Sequence, residues 1–175
     1  MRHVCAKIEG RPHVIVEYGP GTGVVARELL KGNRLAEDGL LILIERDPSL
    51  ASMLQKKLHD PRVRIFCDSA VNVRRILRTC GVPCAEYILS SIPLTCFRKD
   101  VRQKILEETS RALAPHGAHI VFLFRRSVEK FLQSVFPSVE KEAEPRNLPP
   151  LMIFTARKGS LKGVARSPKA SESRR

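Results

Sequence analysis

Short apolar runs recur along the chain, and between them apolar residues return every three or four positions. The runs are apolar on both faces and predict buried strands at 13–19 ("HVIVEYG"), 40–46 ("LLILIER"), 63–70 ("VRIFCDSA"), 85–91 ("AEYILSS") and 118–124 ("AHIVFLF"). The spaced segments predict the intervening helices. The first covers 23–31, with Val24, Val25, Leu29 and Leu30 for its buried side. The second is capped by Asp47, opens with Pro48 and carries Leu50, Met53, Leu54 and Leu58 on one stripe. Further helices are expected at 71–79, at 100–114 with Pro115 and Gly117 as its stop, and at 127–136. "SVEKEAE" and "LMIFTARK" flank the loop "PRNLPP" and read as an antiparallel hairpin.

Strands separated by helices predict an α/β fold: a doubly wound, Rossmann-like sheet, mostly parallel, with helices on both faces and a C-terminal antiparallel hairpin strand. Residues 13–158 form the expected domain, and 1–12 are a short lead without helical apolar periodicity. Residues 159–175 lack apolar periodicity and are expected to be disordered.

No apolar run approaches the ~20 residues that cross a bilayer, and the opening "MRHVCAKIEGRPH" has no secretory apolar core. Cys5, Cys67, Cys80, Cys84 and Cys96 form no paired framework and read as reduced thiols; Cys80 and Cys84 lack partner ligands, so no metal site is expected. The expected compartment is the cytoplasm. Charge changes the picture more: 31 Lys and Arg against 18 Asp and Glu give +13. Residues 156–175 alone hold seven basic side chains and one acid. Such a surface suits a polyanion, either nucleic acid or an anionic membrane face, and equally suits plain solubility.

The candidate chemistry lies in "VIVEYGPGTG" (14–23). In a doubly wound sheet, ligands bind beyond the carboxyl ends of the strands, where this glycine turn falls. The dinucleotide fingerprint needs a third glycine where Val24 stands, and no triphosphate-cradling G-x-x-x-x-G-K-[ST] occurs. Glu17, Gly19, Gly21 and Gly23 instead make E-x-G-x-G-x-G, which resembles the class I S-adenosylmethionine-dependent methyltransferases. The resemblance implies S-adenosylmethionine as cofactor, with bare backbone under its methionyl part and Glu17 supplying charge for its ammonium and sulfonium. Glu45, beside Arg46, ends the second strand at the offset where an acid takes ribose hydroxyls. Asp68, with Ser69 and Ala70, stands where the superfamily reads the adenine amino group. Alone, Glu17 reads equally as a salt-bridge partner and Asp68 equally as a helix cap. Tyr18, before Gly19, lies near the cofactor or packs in the core.

Strand four runs into "LSSIPLTCF", where amino-methylating relatives carry a polar residue and a proline turn that receive the target amine. Ser90 and Ser91 hold the polar places and Ile92, Pro93 and Leu94 the turn; Ser90 also borders the expected cofactor site. "SSIPL", "RNLPP" and "ILEETSRALAPHGAHIVF" together resemble the bacterial phospholipid N-methyltransferases, over about Val14 to Lys158. That resemblance implies stepwise methylation of an amine such as the phosphatidylethanolamine head group. It puts Leu94, Arg146, Asn147, Leu148, Pro149 and Pro150 around the substrate opening; Arg146 meets a lipid phosphate or stands as a hairpin-tip charge in water. The family's N-terminal membrane helix has no counterpart in residues 1–12, so peripheral attachment at the inner membrane surface falls to the tail or to Arg98, Lys99, Arg125 and Arg126. Two rival readings stay open. RNA adenine methylation suits the charge, although Leu94 follows Pro93 where those enzymes place a stacking ring. A cofactor-binding protein without catalysis is the other.

Overall fold

The computed structural model describes residues 1–124, 128–145 and 150–158. A seven-stranded sheet runs through it in the order β3-β2-β1-β4-β5-β7-β6. The strands are β1 (Val14–Tyr18), β2 (Leu40–Glu45), β3 (Val63–Cys67), β4 (Ala85–Ser90), β5 (Leu113–Leu123), β6 (Ser138–Glu144) and β7 (Leu151–Arg157). β1 to β5 pair in parallel, whereas β7 is antiparallel to both β5 and β6. The expected doubly wound architecture and the closing hairpin are both present. The chain reverses direction outward from β1, between β2 and β4, which sets a ligand crevice at the ends of those strands.

Each face of the sheet buries its own core. Val16, Tyr18, Ile44, Ile88 and Val121 pack under α4 (Val73–Thr79), α5 (Lys99–Ala112) and α6 (Glu129–Gln133). On the opposite face Ile15, Leu43, Leu89 and Ile120 meet α2 (Val24–Lys31) and an N-terminal turn, α1 (Arg2–Cys5). α3 (Pro48–Lys57) follows Asp47, whose carboxylate accepts the Ser49 and Leu50 N–H groups as the capping pattern requires.

Five local expectations change. Val24 is 47% exposed, because α2 turns its first residue outward and buries Val25, Ala26 and Leu29. β3 is only half-buried, since it forms the edge of the sheet. α5 ends at Ala112, and β5 already begins at Leu113; Pro115, lacking an N–H, sits where the β4–β5 register shifts between Ala85 and Tyr87. α6 keeps only Glu129–Gln133 of the ten residues expected. Residues 1–12 are more than a lead: Val4, Cys5 and Ile8 are buried, and Lys7 pairs with Glu142 of β6 while His3 Nδ1 lies 2.9 Å from Glu144.

Candidate cofactor and acceptor site

Beyond β1 the chain turns through Gly19, Gly21 and Gly23, all with positive φ (64°, 55° and 77°). The three glycines answer different demands. A Cβ on Gly19 would stand 2.8 Å from Ile92 Cγ2, where the exit from β4 crosses the corner. On Gly23 it would stand 2.7 Å from Leu54 Cδ2, where α3 packs close. On Gly21 it would meet nothing within 4 Å. Its bare backbone therefore faces open space, the cradle that a ligand lying on main chain needs.

Glu45 braces this corner. Its Oε2 accepts the Gly21 N–H at 3.1 Å and its Oε1 accepts the Asp47 N–H at 3.0 Å, so one carboxylate ties the glycine turn to the β2–α3 turn. Each oxygen keeps a further lone pair for a ligand hydroxyl. Arg46 beside it is exposed. Glu17 lies in β1 between Leu43 and Leu89 and is 1% exposed, and its Oε2 has no partner among the described residues. Burial, and then the charge of Glu45, push its pKa up to about 8. Glu17 thus departs from the fixed anion expected at the strand end: it holds a proton at neutral pH unless a cation stands beside it.

Asp68 follows β3. Its Oδ1 accepts both the Ser69 N–H and Asn72 Nδ2 at 2.7 Å, and its Oδ2 pairs with Arg75. Burial works to raise its pKa, but the bonds from Asn72 and Ser69 and the Arg75 charge prevail and hold the carboxyl below its ordinary range. The cap of the following 3-10 turn is Ser69, whose side chain accepts the Val71 N–H, so Asp68 is not the cap; with Ser69 and Ala70 it lines a cleft beside the glycine corner. Glu45 and Arg46 share that wall, and Ile92, Phe97, Val101 and Ile105 form the other. Sequence reading passed over this apolar wall, because Val101 and Ile105 have the spacing of an ordinary core stripe. Leu94 does follow Pro93 directly, yet Phe97, three residues further on, supplies a ring in the cleft. A larger hollow of about 480 Å³ opens at the other end of the sheet among Glu9, Arg11, Glu86 and His116, away from the glycine turn.

The end of β4 separates its two serines. Ser90 is wholly buried and its Oγ has no partner among the described residues. Ser91 is exposed, and its Oγ donates to the Gly19 carbonyl at 3.0 Å, which sets the acceptor segment against the glycine corner. Pro93 precedes a single 3-10 turn (Leu94–Cys96) that rolls Leu94 inward; expected at the substrate opening, Leu94 is 1% exposed and packs in the core. Tyr18 is also buried, with its hydroxyl 3.1 Å from Thr109 Oγ1, and burial pushes its pKa up. Arg98 and Lys99 are exposed at the start of α5, and Pro150 is exposed before β7. Arg125, Arg126, Arg146, Asn147, Leu148, Pro149 and residues 159–175 lie outside the described residues. Among the described residues, no helix is long and apolar enough to cross a membrane, and no cluster of His, Cys, Asp and Glu could hold a metal.

A parallel sheet closed by an antiparallel hairpin, with ligand-facing backbone at the first βα corner, is the fold of the class I S-adenosylmethionine-dependent methyltransferases. Among the solved structures similar to it in fold is a precorrin-6y C5,15-methyltransferase from Geobacter metallireducens (TM-score 0.67, 14% identity, 90% of this chain and 87% of that one). A second is the 1,6-didemethyltoxoflavin-N1-methyltransferase of Burkholderia thailandensis, solved with S-adenosylhomocysteine (TM-score 0.67, 18% identity, 91% and 78%). No family model matches the chain. Among curated proteins it is similar to an ornithine lipid N-methyltransferase of Singulisphaera acidiphila, 27% identical over 150 residues that cover 82% of this chain and 75% of that protein. Sequence and fold together put the chain among the S-adenosylmethionine-dependent methyltransferases. The residues present fit that cofactor: open space over Gly21, unclaimed lone pairs on Glu45, and an orphaned buried oxygen on Glu17 awaiting a cation.

Proposed function

We propose that this protein N-methylates an amine carried by a lipid head group. The observation that carries the reading is the contact between Ser91 Oγ and the Gly19 carbonyl, which brings the polar end of β4 to the corner where the cofactor would lie. The lipid choice rests on the 27% likeness to an ornithine lipid N-methyltransferase. It is supported by two exposed apolar side chains at the same end of the sheet, Val24 at 47% and Phe124 at 57%, and by the net charge of +13, which favours peripheral contact with anionic lipid.

When bound, S-adenosylmethionine supplies an electrophilic methyl group on a sulfonium. Gly21 and the second lone pairs of Glu45 would hold its backbone-facing and ribose parts, Asp68 its base, and Glu17 its positive charge. Ser91 and the neighbouring carbonyls would accept N–H bonds from the amine and aim its lone pair. Residues 90–94 carry no titratable base, so the proton of the ammonium leaves to solvent before attack, and the chain contributes chiefly orientation and exclusion of water.

The test is incubation with methyl-labelled S-adenosylmethionine and either phosphatidylglycerol vesicles containing phosphatidylethanolamine or ornithine lipid, or total RNA. Label in the lipid amine supports the reading; label in RNA alone overturns it.

A further inference from the structure

Two buried polar atoms at the β4–β5 pair, Ser90 Oγ and His119 Nε2, have no partner among the described residues. Parallel pairing sets Ile88 opposite His119 and Ser90 opposite Val121, so Ser90 and His119 are diagonal neighbours on one face of adjacent strands. Tyr18, opposite Ser90 on β1, closes the other flank; its ring centroid lies 6.2 Å from that of His119. The small side chain of Ser90 therefore sits between two rings, inside a layer otherwise made of Val16, Ile88, Val121 and Phe154.

The chemistry of the two atoms is complementary. His119 Nδ1 lies 3.0 Å from the Ile88 carbonyl, and a carbonyl only accepts, so Nδ1 carries a proton. Burial pushes the imidazole pKa down to about 4, leaving the ring neutral with a single proton. Nε2 is then a bare acceptor. Ser90 has a hydroxyl proton to give. Tyr18 offers that proton no better home: the Thr109 hydroxyl donates to Ile105 O at 2.7 Å, so Tyr18 must be the donor to Thr109, and its oxygen stands at the Thr109 end of the ring.

We propose that His119 is a positioning residue for methyl transfer: its Nε2 accepts a hydrogen bond relayed from the Ser90 hydroxyl through one buried water, and so fixes the end of β4 beneath the acceptor amine. The inference rests on the N-methyltransferase reading for its catalytic half. Past Ser90, Ser91 hydrogen-bonds β4 to the glycine corner, through a 3.4 Å backbone bond to Tyr18 O and the side-chain bond to Gly19 O. An anchor one residue earlier sets where Ser91 and Ile92 stand relative to the cofactor.

The experiment has two readouts on the wild type, Ser90→Ala, His119→Phe, His119→Gln and the Ser90→Ala/His119→Phe pair. In ¹⁵N spectra, wild-type His119 should show protonated Nδ1 and a hydrogen-bonded Nε2, and Ser90→Ala should move the Nε2 resonance. In turnover on phosphatidylethanolamine in phosphatidylglycerol vesicles, Ser90→Ala and His119→Phe should each lower kcat about tenfold with cofactor affinity unchanged. The pair should lose no more than either alone, and His119→Gln, which keeps an acceptor, should recover part of the loss. An unmoved Nε2 resonance, additive losses, or unchanged kcat in folded variants overturns the proposal. A wild type that binds S-adenosylmethionine but methylates no amine defeats the proposed function instead, and the resonance alone then decides the Ser90–His119 link.

Discussion

The Glu45 carboxylate accepts the Gly21 N–H at 3.1 Å, so the second strand holds the glycine corner open from the side. Glu45→Gln turns an amide NH₂ toward one of its two backbone donors, Gly21 or Asp47. An unmatched buried donor costs about 1–3 kcal/mol. The variant should lose that stability in urea unfolding and bind S-adenosylmethionine at least tenfold more weakly by calorimetry, about 1.4 kcal/mol.

Gly21 and Gly23 should fail differently. Both have positive φ, and an L side chain there costs about 1–2 kcal/mol. Gly21→Val places its side chain in the open cradle, so the protein should fold while calorimetric cofactor binding disappears. Gly23→Ala drives its methyl into Leu54, so its main defect should be a lower Tm. Wild-type affinity in Gly21→Val would sink the cofactor assignment.

Glu17 predicts an unusual pH dependence. Its folded pKa of about 8 stands above the ordinary 4.5, so the folded protein keeps a proton that the unfolded chain gives up. Stability from this group is full below the lower value and falls as pH rises between the two. Glu17→Gln should flatten the decline in unfolding free energy between pH 5 and 8. Cofactor binding should release a proton in the wild type and none in the variant, measurable by calorimetry in buffers of different ionisation enthalpy.

Ser91→Ala removes one hydrogen bond at the acceptor segment and no base. A net loss of about 1 kcal/mol corresponds to a roughly fivefold fall in kcat, with cofactor affinity near wild type. A loss of all turnover would mean that Ser91 does more than orient.

Local pattern carried most of the fold. The runs at 13–19 and 40–46 are apolar on both faces because they stand in the middle of the sheet, and β1 and β2 match them closely. The run at 63–70 looked similar, but strand order is a tertiary property, and at the sheet edge β3 leaves Arg64 and Cys67 exposed. Val4, Cys5 and Ile8 pack although one helical turn is too short to declare a period. At the site, the glycines and three acids were legible because their spacing is fixed by strand ends. The separate duties of Gly21 and Gly23 depend on what packs against them, as do the retained proton of Glu17 and the ring of Phe97. None of these has a one-dimensional signature.

β7 is the last strand among the described residues, yet it stands inside the sheet between β5 and β6. Assembly on the ribosome therefore cannot proceed outward strand by strand. Until residue 157 has emerged, β5 presents a bare row of amides and carbonyls flanked by Ile120 and Phe122, and β6 has nothing to pair with. A chain halted within that hairpin would expose this unpaired edge, the kind of surface on which partly folded chains associate.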